Sequence, residues 1–204
     1  MIRRHNIRNP YAQTVKVGVV IIAVFAIVAF FTPKEDSKPQ APTAKIGRSS
    51  NSIAEVYFSP KGGCTEAIIK AVSDAKESIY VQAYSFTSQP IAEALVGAKK
   101  RGVRVSVILD HSQKNDKSKM EDLIAAAGVR TMMDAKHSIA HNKVIIIDEQ
   151  TVLTGSFNFS KAAEEANAEN LLVVHDADLA KKYLANWTLH ENHSADYTAE
   201  ETEK

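Results

Sequence analysis

His141-Asn142-Lys143-Val144-Ile145-Ile146-Ile147-Asp148 and, six residues on, Gly155-Ser156-Phe157-Asn158-Phe159-Ser160 decide how this chain folds and where its chemistry lies. A strand starting at Asn142 alternates its side chains between two faces, so His141 and Lys143, two apart, project together at its start. A second strand over 151–155 ends at Gly155, and Ser156 and Asn158 are again two apart. The short connection at Glu149-Gln150 makes the two strands antiparallel neighbours, bringing the end of the second beside the start of the first. One sheet edge therefore gathers an imidazole, an ammonium, a hydroxyl and an amide. That set suits a phosphodiester: Lys143 and the Asn158 amide can hold non-bridging oxygens, leaving His141 to react.

Around this pair, strand-like and helix-like runs alternate. Strands are expected over 53–58, 78–85, 103–110, 129–133, 143–148, 151–155 and 170–175. Helices are expected over 64–76, 89–101, 117–127, 160–166 and 178–192. Gly102 is placed to end the second helix, and Asp176 or Asp178 to cap the last. This spacing predicts an α/β fold, a mixed β-sheet flanked by helices on both faces. No internal repeat is visible.

The 204 residues carry a net charge of +1, unevenly placed. Residues 1–16 hold Arg3, Arg4, Arg8 and Lys16 and no acid, leaving 21 basic against 24 acidic residues in the remainder. Bulk charge thus does not announce a nucleic-acid binder; any attraction for phosphate must be local. Residues 17–31 are uninterruptedly apolar or glycine. As a helix they span about 22 Å, short of a bilayer core of roughly 30 Å unless 14–32 are included and Lys16 snorkels. The segment 17–32 reads as a signal anchor, with a cleaved signal peptide as the alternative, since no small-x-small site follows closely. With the basic residues 1–16 held inside, the rest of the chain is exported, either anchored in the inner membrane facing the periplasm or secreted. Residues 33–52 read as a flexible linker, 53–193 as the catalytic domain and 194–204 as a flexible tail. Cys64 is the single cysteine, which excludes an internal disulfide and a multi-cysteine zinc site.

His-x-Lys-x4-Asp followed by x6-Gly-Ser-x-Asn resembles the signature of the phospholipase D superfamily, with every position matched by His141, Lys143, Asp148, Gly155, Ser156 and Asn158. The resemblance covers residues 53–192, and the single motif copy and short length look most like bacterial Nuc-type endonucleases. It implies that His141 is the nucleophile and forms a phosphohistidine, while Lys143 and Asn158 bind the phosphate. It also implies that Ser156 and Glu169, 13 residues further on, support the site, with Glu169 orienting His141. Asp148, at the far end of its strand, and Gly155 are expected to be structural. One histidine cannot be both nucleophile and general acid in an in-line displacement, so the resemblance implies a homodimer in which two copies of His141 face each other. The expected substrate is DNA, with RNA as a second. The alternative is a membrane-anchored phospholipase of the cardiolipin-hydrolysing type, although the cysteine/histidine insert of its animal members is lacking.

No metal or other cofactor is expected. His137 and His141 are four apart, but the zinc-protease helix needs glutamate after its first histidine, and Ser138 stands there. His111 follows a strand end and is a surface residue or lines the same edge. Lys99-Lys100-Arg101 and Lys114, Lys117 and Lys119 read as solvated faces.

Overall fold

The computed structural model describes residues 44–49 and 52–199. Its strands are β1 (Ala44–Ser49), β2 (Ser52–Phe58), β3 (Ser78–Ala83), β4 (Arg104–Asp110), β5 (Arg130–Asp134), β6 (Lys143–Ile147), β7 (Thr151–Gly155), β8 (Asn170–His175) and β9 (Ala195–Tyr197). The helices are α1 (Cys64–Asp74), α2 (Gln89–Lys100), α3 (Met120–Ala126), α4 (Lys161–Glu165) and α5 (Ala177–Glu191), with a 3-10 turn at His111–Asn115. The strands form one sheet in the order β1-β2-β8-β7-β6-β3-β4-β5-β9. β3, β4 and β5 run parallel, and β6 is antiparallel to both β3 and β7. The expected mixed sheet is therefore present.

Both faces of the sheet are covered, because apolar side chains alternate along the strands. On one face Val81, Val107, Ile145, Leu153 and Leu171 pack with Ile68 and Val72 of α1 and Ile91 and Leu95 of α2. On the other, Ile108, Met132, Val144, Ile146 and Val152 meet Ala180 and Trp187 of α5. The Trp187 indole N–H donates to the Val81 carbonyl at 3.0 Å, satisfying its one polar atom inside this layer. Asp176 caps α5, accepting from the Leu179 N–H at 2.9 Å.

Three expectations are corrected. Residues 44–49, assigned to a flexible linker, form β1 and pair antiparallel with β2. Residues 195–197, assigned to the tail, form β9 against β5. Edge strands are held by backbone pairing, which needs no apolar alternation and leaves little trace in sequence. The third helix starts at Met120 rather than 117, because the Asp116 carboxylate takes the Ser118 N–H at 2.7 Å and Lys119 turns left-handed (φ 56°). The basic segment 1–16 and the anchor at 17–32 lie outside the described residues. Among the described residues no helix is long and apolar enough to cross a membrane.

Candidate active site

The registers bring one end of five strands together. Ala83 of β3 pairs with Lys143 of β6, Gly155 of β7 with Leu171 of β8, and Phe58 of β2 with Asn170. His141, exposed, leads into β6 at this edge. The Tyr84 ring lies beside it, centroids 4.5 Å apart. Lys143 is 6% exposed and its ammonium sits 5.0 Å over the same ring, donating to the His141 carbonyl at 2.6 Å. Burial pushes the Lys143 ammonium down from its ordinary pKa, and the Glu169 carboxylate works against that shift. Among the described residues Lys143 makes no ion pair, so this buried cation lacks an anion.

Residues 156–160 cross this edge from β8 to the end of β3. The Phe157 N–H donates to Asn170 O, the Phe159 N–H to Ser85 O, and the Thr87 and Ser88 N–H groups to Phe159 O. Phe157 and Phe159 are buried at 0% and 1%, so period-two alternation turns Ser156 and Asn158 the other way. The buried Asn158 Oδ1 has no hydrogen-bond partner among the described residues. Ser156 Oγ accepts from the Asn170 N–H at 3.1 Å and from its side-chain amide at 3.3 Å. Gly155 permits this crossing: at φ 154° a Cβ would lie 2.2 Å from Asn170 O. Glu169 is fixed by its backbone to Ser59, and its carboxylate accepts from Asn167 Nδ2 at 3.3 Å rather than from His141. Its link to the site is electrostatic, through Lys143.

Asp148 is at the opposite end of β6. Its carboxylate accepts the N–H groups of Lys76 (2.9 Å), Glu77 (2.7 Å) and Ser78 (2.9 Å), tying the β6–β7 hairpin to the start of β3. Burial raises its pKa, but the N–H donors of Ser78, Glu77 and Lys76 outweigh it and hold the carboxyl below the ordinary range.

The residues that hold the His141 loop have no place in the motif. Asp110 Oδ2 accepts the Ala140 N–H at 2.7 Å, the Tyr84 N–H donates to Asn142 O, and Asn142 Nδ2 donates to Gln82. Burial alone would raise the Asp110 carboxyl; the Ser112 hydroxyl and the Ala140 and Ser112 N–H groups bring it below its usual value. His111 is exposed, 3.8 Å from Asp110. At the end of β5, buried Asp134 meets His137, His190 and His193, a set that could hold a metal ion. His137 thus partners Asp134, not His141. The sequence signal was Asp134-x2-His137 together with His190-x2-His193.

At this sheet edge, which Ser156 and Asn158 also reach, an exposed imidazole thus stands beside a buried ammonium that has no ion-pair partner among the described residues, an arrangement able to receive an anion. A family model described as "Cardiolipin synthase, PLD-like domain" matches residues 68–188. A protein named phospholipase D from Rickettsia bellii is 44% identical over 150 residues, 73% of this chain and 74% of that protein. The mitochondrial cardiolipin hydrolase of Xenopus laevis is 32% identical over 109 residues, about half of either protein. The crystal structure of Nuc, a phospholipase D family member from Salmonella typhimurium, superposes with a TM-score of 0.70 at 40% identity, covering 72% of this chain and 99% of that one. The chain belongs to the phospholipase D superfamily and is a hydrolase of phosphodiester bonds.

Proposed function

We propose that this phosphodiesterase is an endonuclease of low sequence selectivity, cleaving DNA and also RNA through a phosphohistidine on His141. The observation that carries the reading is Lys143: a buried ammonium with no carboxylate partner among the described residues, two residues from an exposed imidazole, is neutralised when a phosphodiester enters. The nuclease reading is supported by the match to almost the whole length of Nuc. Lys143 and Asn158 hold the non-bridging oxygens and His141 attacks phosphorus, forming the N–P bond as the P–O bond to the leaving oxygen breaks. The leaving oxygen takes its proton from His141 of a second copy, which then removes a proton from the water that hydrolyses the phosphohistidine. Two copies also bring two Lys143 side chains, so the chemistry draws its positive charge from protein rather than from a metal. The basic residues 1–16 and apolar 17–32 support a domain tethered outside the cytoplasm, anchored in the inner membrane or released by signal cleavage.

Hydrolysis of cardiolipin is the second reading, favoured by the names of the relatives and by the expected anchor. The two separate in one panel: plasmid DNA, single-stranded RNA and cardiolipin vesicles incubated with the purified chain, with His141→Ala as control. Nicked and then linear plasmid supports the nuclease. Release of phosphatidate with intact DNA and RNA refutes it.

A further inference from the structure

Asp134 is fully buried at the end of β5, and three imidazoles converge on its Oδ2: His137 Nδ1 at 2.9 Å, His190 Nδ1 at 2.9 Å and His193 Nε2 at 3.2 Å. The four donor atoms all lie within 4.8 Å of one another. Hydrogen bonding accounts poorly for this convergence. A carboxylate oxygen offers two lone pairs, yet three ring nitrogens approach Oδ2, while Oδ1 already accepts the Lys136 N–H at 3.0 Å. Every ring would have to carry its proton on the nitrogen facing one atom. A cation among the four donors removes the crowding, because the nitrogen lone pairs then point inward and the carboxylate supplies one bond. Zinc bonds of about 2.0–2.1 Å in a tetrahedron place the ligand atoms roughly 3.3 Å apart, within the span of distances present.

We propose that Asp134, His137, His190 and His193 form a structural binding site for a zinc ion. Three imidazoles and one carboxylate favour zinc or a neighbouring transition metal over calcium or magnesium, which select oxygen ligands. Four protein ligands fill a tetrahedron and leave no open position for a reacting water, the pattern of a structural centre. The site is separate from the phosphate site. Asp134 lies on the α5 side of the sheet, in step with Met132, and β5 is three strands from β6, about 14 Å across the sheet. Its reach is mechanical: the ion joins the end of β5, the C-terminal end of α5 with the start of β9, and the loop that four residues after His137 delivers His141. The proposal does not depend on which phosphodiester is cleaved.

The test uses the full chain, purified in mild detergent without a histidine tag, stripped with a strong chelator and back-titrated with zinc against a chromophoric competitor. One zinc per chain is expected, with cobalt giving the intense visible absorption of four-coordinate cobalt. Melting should rise by roughly 5–10 °C when zinc stands at a hundredfold excess over its dissociation constant. His190→Gln and His193→Gln should each weaken binding on the order of a hundredfold or more and abolish the melting shift. If a variant fails to fold, stoichiometry and the cobalt spectrum of the wild-type chain decide. The stripped chain, assayed well below its melting point, should still hydrolyse phosphodiesters. Substoichiometric binding by the wild type, a pale six-coordinate cobalt complex, or variants that bind as tightly as wild type would overturn the site. Activity that returns in proportion to metal, in a chain that never unfolded, would overturn its structural role.

Discussion

Asp148→Asn separates a fold-holding member of the motif from the chemistry. Asp148 sits at φ 52°, which asparagine also tolerates, so the substitution leaves the backbone at ease and removes charge. Oδ1 takes two N–H groups, from Glu77 and Ser78, and Oδ2 takes that of Lys76. Asparagine keeps one carbonyl oxygen for the first two, now as weaker neutral bonds, and turns an amide donor toward the third. Hydrogen bonds to a charged group contribute about 1.5–3 kcal/mol each. Two of these donors are solvent-exposed, so the lower end applies and the net cost is about 2 kcal/mol. That corresponds to roughly 4–8 °C in Tm for a domain of this size. The pH dependence follows from the depressed carboxyl: the stabilisation is present above the unfolded carboxylate pKa of about 3.9 and disappears as pH falls through the lower folded value. The gap between wild type and variant should therefore be full at neutral pH and close below about pH 4. Asp148 lies five residues along the strand from Lys143, about 17 Å away, so hydrolysis of an activated aryl phosphodiester at low temperature should be unchanged. Thermal melts across pH and steady-state kinetics measure both quantities. An unchanged Tm with lost turnover would falsify the separation.

Lys143→Ala should lower turnover about 10²–10³-fold with the fold retained, since it removes a preorganised phosphate contact; kinetics and circular dichroism on one preparation check both. Gly155→Ala forces a Cβ against Asn170 O, so it should lower Tm and turnover together, and a soluble, fully active variant would contradict the close approach. A differentially tagged heterodimer carrying one His141→Ala subunit should be nearly inactive on DNA, because the surviving imidazole attacks without a facing acid. On an activated aryl ester it should give a burst of about one leaving group per dimer and then stall as phosphohistidine; steady turnover near half the wild-type rate would mean that each subunit works alone.

What the sequence reveals and conceals follows from how each residue acts. The placement of His141, Lys143, Ser156 and Asn158 at one sheet edge was legible because short strands with period two carry fixed spacing directly into space, and the buried Phe157 and Phe159 keep that register at the edge. Asp148 was legible as lying away from that edge because the four strand residues 144–147 separate it from Lys143. Tyr84 was not, since it reaches His141 only through the pairing of β3 with β6, which no local pattern encodes. The zinc ligands were hidden for a related reason. Judging His137 by its spacing to His141 asks a helical question of a segment that is loop, whereas its partners come from the end of β5 and from α5, more than fifty residues on. Asp110 and Asp134 make the general case. Both are buried carboxylates that grip N–H groups of the loop between β5 and β6, at Ala140 and at Lys136 and His137. A motif names the groups that touch the phosphate; the groups that aim them bind backbone, and backbone has no sequence of its own to read.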